Sequence, residues 1–331
     1  MARKIIMDVD TGSDDACAIM LAAKSEELEI LGICAVNGNR TLEETTENTL
    51  KIVELLGMED KIPVIRGASR PMVKDLLPSR AHNAQTPSVH YDENGNEICY
   101  HPASFDLPVP HTKPLEKNFI TWYADTILGS KEPVTIVAVG PLTDLGLLFR
   151  CEPKVLENIE EIVIMGGGHN QVNTTFASEF NIFMDPEAAE IVLQSGAKIT
   201  MVPLDATHAA STYLSEAKLF RDLHTPVGDM IAELIEIRTN AYNRLQPLWD
   251  KDLCPLHDAL AVAYLLDPRV LKHVLYTRVD VDISGGFADG ATIVDTRVYR
   301  NMEPNCYYAL DADRDLFNRI FYERIAGHKS V

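Results

Sequence analysis

Short, almost uniformly apolar runs alternate along this chain with stretches of helical period, and that alternation leaves few folds open. Lys4–Val9, Glu29–Val36, Pro63–Arg66, Val134–Val139, Glu161–Met165 and Lys198–Pro203 lack the polar-apolar alternation of a half-exposed strand and read as strands buried on both faces. Between them, Thr41–Gly57 opens with the capping pair Thr41 and Glu44 and stops at a glycine, while Pro186–Ser195 starts on proline and ends before Gly196. Strands separated by helices return to the sheet parallel to one another. The expected fold class is therefore α/β, a mostly parallel open sheet with helices on both faces, Rossmann-like. Two regions break the rhythm. Pro71–Pro114 is rich in Pro, His and Asn and has the length of a lid or binding loop. The C-terminal part is elaborated, with helical runs at Val227–Leu245 and His257–Leu266 before strand-like stretches at Tyr276–Ile283 and Thr292–Tyr299. No segment has linker composition, so one domain over residues 1–331 is expected.

The first strand runs directly into an acidic cluster, Asp8-Val9-Asp10-Thr11-Gly12-Ser13-Asp14-Asp15. Period-two alternation would put Asp8 and Asp10 on one face at the carboxyl end of the strand. Gly12 permits a tight turn, and Asp14 and Asp15 open the next helix, where the dipole favours carboxylates. The dipole accounts for Asp14 and Asp15 but not for Asp8 and Asp10. Four carboxylates this close repel unless a cation or protons neutralise them, and open α/β sheets bind ligands at the carboxyl ends of their strands. Ligands that are all oxygen select a hard cation, calcium or magnesium. Gly12 stands where an EF-hand loop needs its fifth-position ligand, and the cluster holds no His or Cys to suit zinc.

The charge balance narrows the partners. With 49 acidic and 30 basic residues the formal net charge is −19, the wrong sign for a nucleic acid or an anionic membrane surface. Apart from Arg40, the segments around the candidate site carry no Lys or Arg to grip a phosphate, so a neutral nucleoside suits them better than a nucleotide. The six cysteines are scattered without a C-x-x-C pair, no signal peptide precedes the first strand, and no apolar run reaches the roughly 20 residues of a membrane span. A soluble, cytoplasmic protein with reduced thiols is expected.

Asp8-x-Asp10-x-Gly12-x-Asp14-Asp15 resembles the N-terminal fingerprint of the inosine-uridine-preferring nucleoside hydrolase family. Further segments similar to that family's follow in order: Asn37-Gly38-Asn39, Val139-Gly140-Pro141-Leu142-Thr143, Met165-Gly166-Gly167-Gly168, Glu179-Phe180-Asn181 ahead of Asp185-Pro186-Glu187, and Pro255-Leu256-His257-Asp258. The resemblance implies Ca²⁺ held by Asp10, Asp15, Asp258 and the carbonyl of Val139. It implies a ribonucleoside gripped by Asp14, Asn39, Asn173, Glu179 and Asn181, with Met165 and Phe180 beside it. It also implies Asp10 as the base that activates a metal-bound water, His257 as the acid for the leaving base, and assembly as a homo-oligomer, dimer or tetramer. The reaction would be hydrolysis of the N-glycosidic bond through an oxocarbenium-like transition state. On the lid the family's H-G-x-x-G segment is replaced by Ala81-His82-Asn83-Ala84-Gln85-Thr86-Pro87, where His82 is the candidate to face the base, and Trp249 or Tyr242 could stack on it. His90, His101 and His111 read as solvated.

Two other readings fit parts of the pattern. Asp8-Val9-Asp10-Thr11 after an apolar strand resembles the start of a haloacid-dehalogenase-like phosphatase, with Asp8 as nucleophile and Mg²⁺ as metal, but leaves the later segments without a role. A nucleoside-binding protein without turnover would keep the same pocket.

Overall fold

The computed structural model describes residues 2–77, 80, 90–299 and 302–327. Eight strands form the main sheet: β1 (Arg3–Val9), β2 (Leu28–Ala35), β3 (Val64–Arg66), β4 (Val134–Ala138), β5 (Ile159–Met165), β6 (Ile199–Val202), β7 (Leu271–Thr277) and β8 (Cys306–Ala312). They lie in the order β7-β8-β6-β5-β4-β1-β2-β3, with every neighbouring pair parallel except β7 and β8. The expected α/β class holds.

The order explains where a ligand can sit. From β1 the chain steps outward to β2 and β3, then crosses back to β4 on the other side of β1 and steps outward again to β5 and β6. Helices leaving β1 and β4 therefore go to opposite faces, and a crevice opens above the carboxyl ends of these two strands. Val139 N donates to Asp8 O at 2.8 Å across the crevice's base.

Alternation along β1 divides the interior. Ile5, Met7 and Val9 pack against α1 (Ser13–Ala23), α2 (Pro226–Leu245), α3 (His257–Leu266) and α4 (Arg314–Ile325). Ile6 packs on the other face with Ile136, Ala138 and the helices Phe119–Gly129, Thr143–Cys151 and Pro186–Leu193. Both faces are dry, which is why the strands carry continuous apolar runs.

The C-terminal part departs from expectation. Residues 306–312 form an eighth strand that lies parallel to β6, and the strand expected at Tyr276–Ile283 is two strands, one ending at Thr277 and a second at Val279–Val281. Thr292–Val294 pairs with that second strand outside the main sheet, and residues 295–299 do not continue it. Within the Pro71–Pro114 excursion, His90–Tyr91 and Glu97–Ile98 make a two-residue hairpin.

Asp8 also lies apart from Asp10, against the shared face that the two-residue period predicts. It shares the face of Ile6, fully buried, and its Oδ2 accepts the Tyr123 hydroxyl at 2.5 Å. Asp10 lies one residue past the strand, where the chain has begun to turn and pleat alternation no longer binds it. Near Asp8, Asp144 accepts from Ala68 N at 2.7 Å and from the Cys34 thiol at 3.1 Å. Burial and then Asp144 push Asp8 well above the usual carboxylate range, and burial pushes Asp144 up to about 7.

That shift has a signed consequence. The folded state holds a proton on Asp144 that the unfolded chain releases near pH 4, so the contribution is fully present below that pH and is lost as pH rises through about 7. At about 1.4 kcal/mol per unit, the loss by pH 8 is on the order of 4 kcal/mol. Asp144→Asn keeps the acceptor for Ala68 N and never ionises. Urea unfolding at pH 5 and pH 8 should therefore show the variant gaining a few kcal/mol on the wild type between those values. A gap that is constant or narrows with pH would show that Asp144 is ionised throughout.

Candidate active site

The cavity above the β1–β4 crevice has a volume of about 500 Å³, within the range of small-molecule sites. Eleven residues predicted from sequence line it: Asp14, Asn39, Val139, Met165, Asn173, Glu179, Phe180, Asn181, Tyr242, His257 and Asp258. Asp10 and Asp15 lie beneath, both fully buried, and form its floor. Trp249 does not line the cavity; three-quarters exposed, it sits by Arg314 with 5.7 Å between guanidinium and ring. The His82 expectation falls outside the described residues.

The floor is built by backbone clasps. Asp15, in the first turn of α1, accepts from Asp10 N at 3.0 Å and Gly12 N at 2.9 Å, which folds the loop back over the helix end. Asn39 N donates to Asp10 Oδ2 at 2.6 Å, and the Asn39 amide reaches Asp15 Oδ2 at 3.2 Å. Gly38 and Gly140 hold the loops close. A Cβ on Gly38 would come within 2.1 Å of Asp10 Oδ2, and one on Gly140 within 3.0 Å of Asp10 N.

Asp10 Oδ1 is buried and has no hydrogen-bond partner among the described residues. A buried carboxylate oxygen without a donor is costly unless a cation or a proton sits on it. Burial and then Asp15 raise Asp10 well above the usual range, burial and then Asp14 raise Asp15 to about 6, and burial with Asp14, Asp15 and Asp10 raises Asp258. Carboxylate and carbonyl oxygens such as these and that of Val139 are the kind of donor a hard cation takes. The Val139 carbonyl also accepts Asn181 Nδ2 at 2.7 Å and has a second lone pair to offer. The groups present could hold a metal ion. Asp14, Asp15 and His101 also bring ligand atoms within 4.8 Å of one another.

The far wall is polar and uncharged at its surface except for Glu179. That residue caps the short helix Phe180–Met184, accepting from Asn181 N at 2.9 Å and Gly167 N at 2.9 Å. Burial nevertheless raises its carboxyl to about 7. Asn173 Oδ1 accepts from Phe180 N at 2.9 Å, so Asn173, Glu179 and Asn181 are braced as one unit. Such amides and carboxyls suit the hydroxyls of a polyol.

The opposite end is aromatic. Tyr100 and Tyr242 meet edge to face at 4.9 Å between ring centres. His257 pairs through Nε2 with the Tyr242 hydroxyl at 2.6 Å and through Nδ1 with Thr207 Oγ1 at 2.7 Å. Burial first, then Arg238, keep its pKa well below that of a free histidine, so the ring is neutral at physiological pH.

Among the cavity residues that sequence reasoning missed are Tyr100, His101 and Arg238. Tyr100 and His101 come from the irregular excursion, where no period exists to place them. His101, expected in solvent, accepts from Ser13 N at 3.2 Å over Gly12, whose missing Cβ makes room for the ring. Arg238 did leave a signal. Ile231, Leu234, Ile235 and Tyr242 make an apolar stripe on α2, and Arg238 stands within it, seven residues after Ile231. A charged residue on a buried helix face needs a partner, and here that partner is Asp14 at 2.8 Å.

Asp8, the nucleophile that a phosphatase reading requires, is buried behind the sheet and outside the cavity. The comparisons with known proteins point elsewhere. A family model described as inosine-uridine preferring nucleoside hydrolase matches residues 5–319. The pyrimidine-specific ribonucleoside hydrolase RihA of Citrobacter koseri is 38% identical over 330 residues, covering 100% of both chains. The same-named enzyme of Escherichia coli is 38% identical over 325 residues, 98% of this chain and 99% of its own. The solved purine-preferring ribonucleoside hydrolase of Gardnerella vaginalis superposes with a TM-score of 0.83 at 30% identity, covering 98% of each chain.

Proposed function

Since the chain belongs to the inosine-uridine preferring nucleoside hydrolase family, we propose that it is a Ca²⁺-dependent enzyme that hydrolyses the N-glycosidic bond of ribonucleosides, pyrimidine ribonucleosides foremost. The observation that carries this reading is the buried, unpartnered Asp10 Oδ1 beneath a cavity walled on one side by polyol-type ligands and on the other by aromatic rings. The pyrimidine preference draws on the two relatives at 38% identity.

Asp10, Asp15, Asp258 and the Val139 carbonyl would hold the ion, whose chemistry is to bind the ribose diol and make a neighbouring water more acidic. Asp14, Asn39, Asn173, Glu179 and Asn181 orient the sugar, with Met165 and Phe180 against it. As the C1′–N bond lengthens, positive charge spreads over the ribose ring, and the surrounding carboxylates stabilise it. Asp10 takes the proton of the attacking water. His257 faces the leaving base through its pair with Tyr242. One domain over residues 1–331, assembled as a dimer or tetramer in the cytoplasm, belongs to the same proposal.

The test is base release, followed by chromatography, from uridine, cytidine, inosine, adenosine, guanosine and their monophosphates, with Ca²⁺ and with a chelator. Release from uridine and cytidine above the purines, lost in chelator, is the expected result. Release of phosphate from the monophosphates, or tight nucleoside binding with no turnover, would overturn the assignment.

A further inference from the structure

Arg238 stands between the two ends of the cavity. Its Nη1 donates to Asp14 Oδ1 at 2.8 Å and to Ser13 Oγ at 2.9 Å, and its Nε donates to Pro255 O at 2.9 Å. Its guanidinium carbon lies 5.6 Å from the centre of the Tyr242 ring. The side chain is 1% exposed and lines the cavity. Nη2 has no oxygen or nitrogen partner among the described residues, the Cys254 thiol stands beside the guanidinium, and the side chain lines the cavity. Arg40, the other arginine of the lining, is by contrast tied to Glu97 at 2.7 Å and the His101 carbonyl at 2.8 Å.

A permanent cation here opposes the reaction if it faces the ribose, which gains positive charge. It assists if it faces the base, which gains negative charge. The Asp14 carboxylate stands on the sugar side of the guanidinium and screens the ribose from it, while the Tyr242 side is open. At that end the Tyr242 hydroxyl and His257 Nε2 are taken up by one another, and Thr207 holds Nδ1. Nη2, without an oxygen or nitrogen partner among the described residues, is the cationic donor at this end.

We propose that Arg238 is the leaving-group residue, its Nη2 hydrogen-bonding the base at the heteroatom where charge collects. The inference rests on the hydrolysis proposed above. In the step it serves, the C1′–N bond breaks and its electron pair stays on the base nitrogen. Water forms the new C1′–O bond and gives a proton to Asp10. The base leaves as an anion paired with the guanidinium and takes a proton from solvent. No other reactant is needed.

The test compares uridine with 4-nitrophenyl riboside, which has the same sugar but a leaving group that is already a stable anion. One preorganised donor aimed at developing charge is worth about 10²-fold in kcat. Arg238→Gln should therefore lower kcat on uridine about 100-fold and on the nitrophenyl riboside by only a few fold. Arg238→Lys keeps charge without the planar fork and should lose about tenfold on uridine alone. It also serves as the probe if the glutamine variant does not fold. Equal losses on both substrates would assign Arg238 to holding Asp14 and overturn the proposal. A wild-type enzyme that cleaves neither substrate would instead defeat the underlying reaction, and this inference with it.

Discussion

Asp10→Asn should lower base release by about a thousandfold or more while raising the melting temperature of the metal-free protein. The two effects share one cause. Asp10 is buried with Asp14, Asp15 and Asp258, and each raises the others' preference for the neutral form. An asparagine removes one charge from this group and keeps an oxygen for the Asn39 backbone N–H. Its amide nitrogen occupies the place of the unpartnered Oδ1. The apo fold therefore loses repulsion and no hydrogen bond. Catalysis loses its proton acceptor and a negative charge under the ribose, two effects that multiply. Steady-state base release and calorimetry on the same preparation check both halves. An active variant would move the general base elsewhere, and a destabilised one would mean that the floor is already neutral in the wild type.

Chelation is the second large effect. Without a cation, Asp15 titrates near 6 and Asp10 and Asp258 well above their ordinary values, so at pH 6.5 the metal-free floor retains protons. Ca²⁺ must displace them. Calorimetric titration at pH 6.5 in buffers of different ionisation enthalpy should show about one proton released per ion or more, and the affinity should weaken as pH falls. The sign for stability follows. The apo protein is favoured at low pH and loses that contribution as pH climbs through the raised values, whereas Ca²⁺ at about a hundred times its dissociation constant restores roughly 2.7 kcal/mol. Base release should vanish in chelator and return with Ca²⁺. Binding heats independent of buffer, or activity indifferent to chelator, would remove the ion from the mechanism.

What the sequence disclosed, and what it withheld, follows from how local each signal is. Strands β1 to β6 were legible because both faces are buried over most of their length and each carries a near-continuous apolar run. β8 was missed because Tyr307 and Asp311 interrupt an otherwise apolar run on the half-covered side of the sheet. The cavity residues on strand ends and helix starts were legible through short motifs. Asp8 and Asp10 were wrongly assigned to one face because the strand's pleat ends between them, a matter of one residue. Tyr100 and His101 depend on how a long irregular segment folds over Gly12, and no local pattern encodes that.

The β1–β4 switch point also bears on how the chain is made. Asp10 and Asp15 leave the ribosome early and Val139 midway, whereas Asp258 belongs to α3, which packs on α1 only after most of the polypeptide has been synthesised. Until then the acidic loop has its repulsion without its full complement of oxygens. If the site takes calcium as proposed, a nascent or truncated chain has little hold on the ion, which would secure the finished molecule and pass over its partly folded forms.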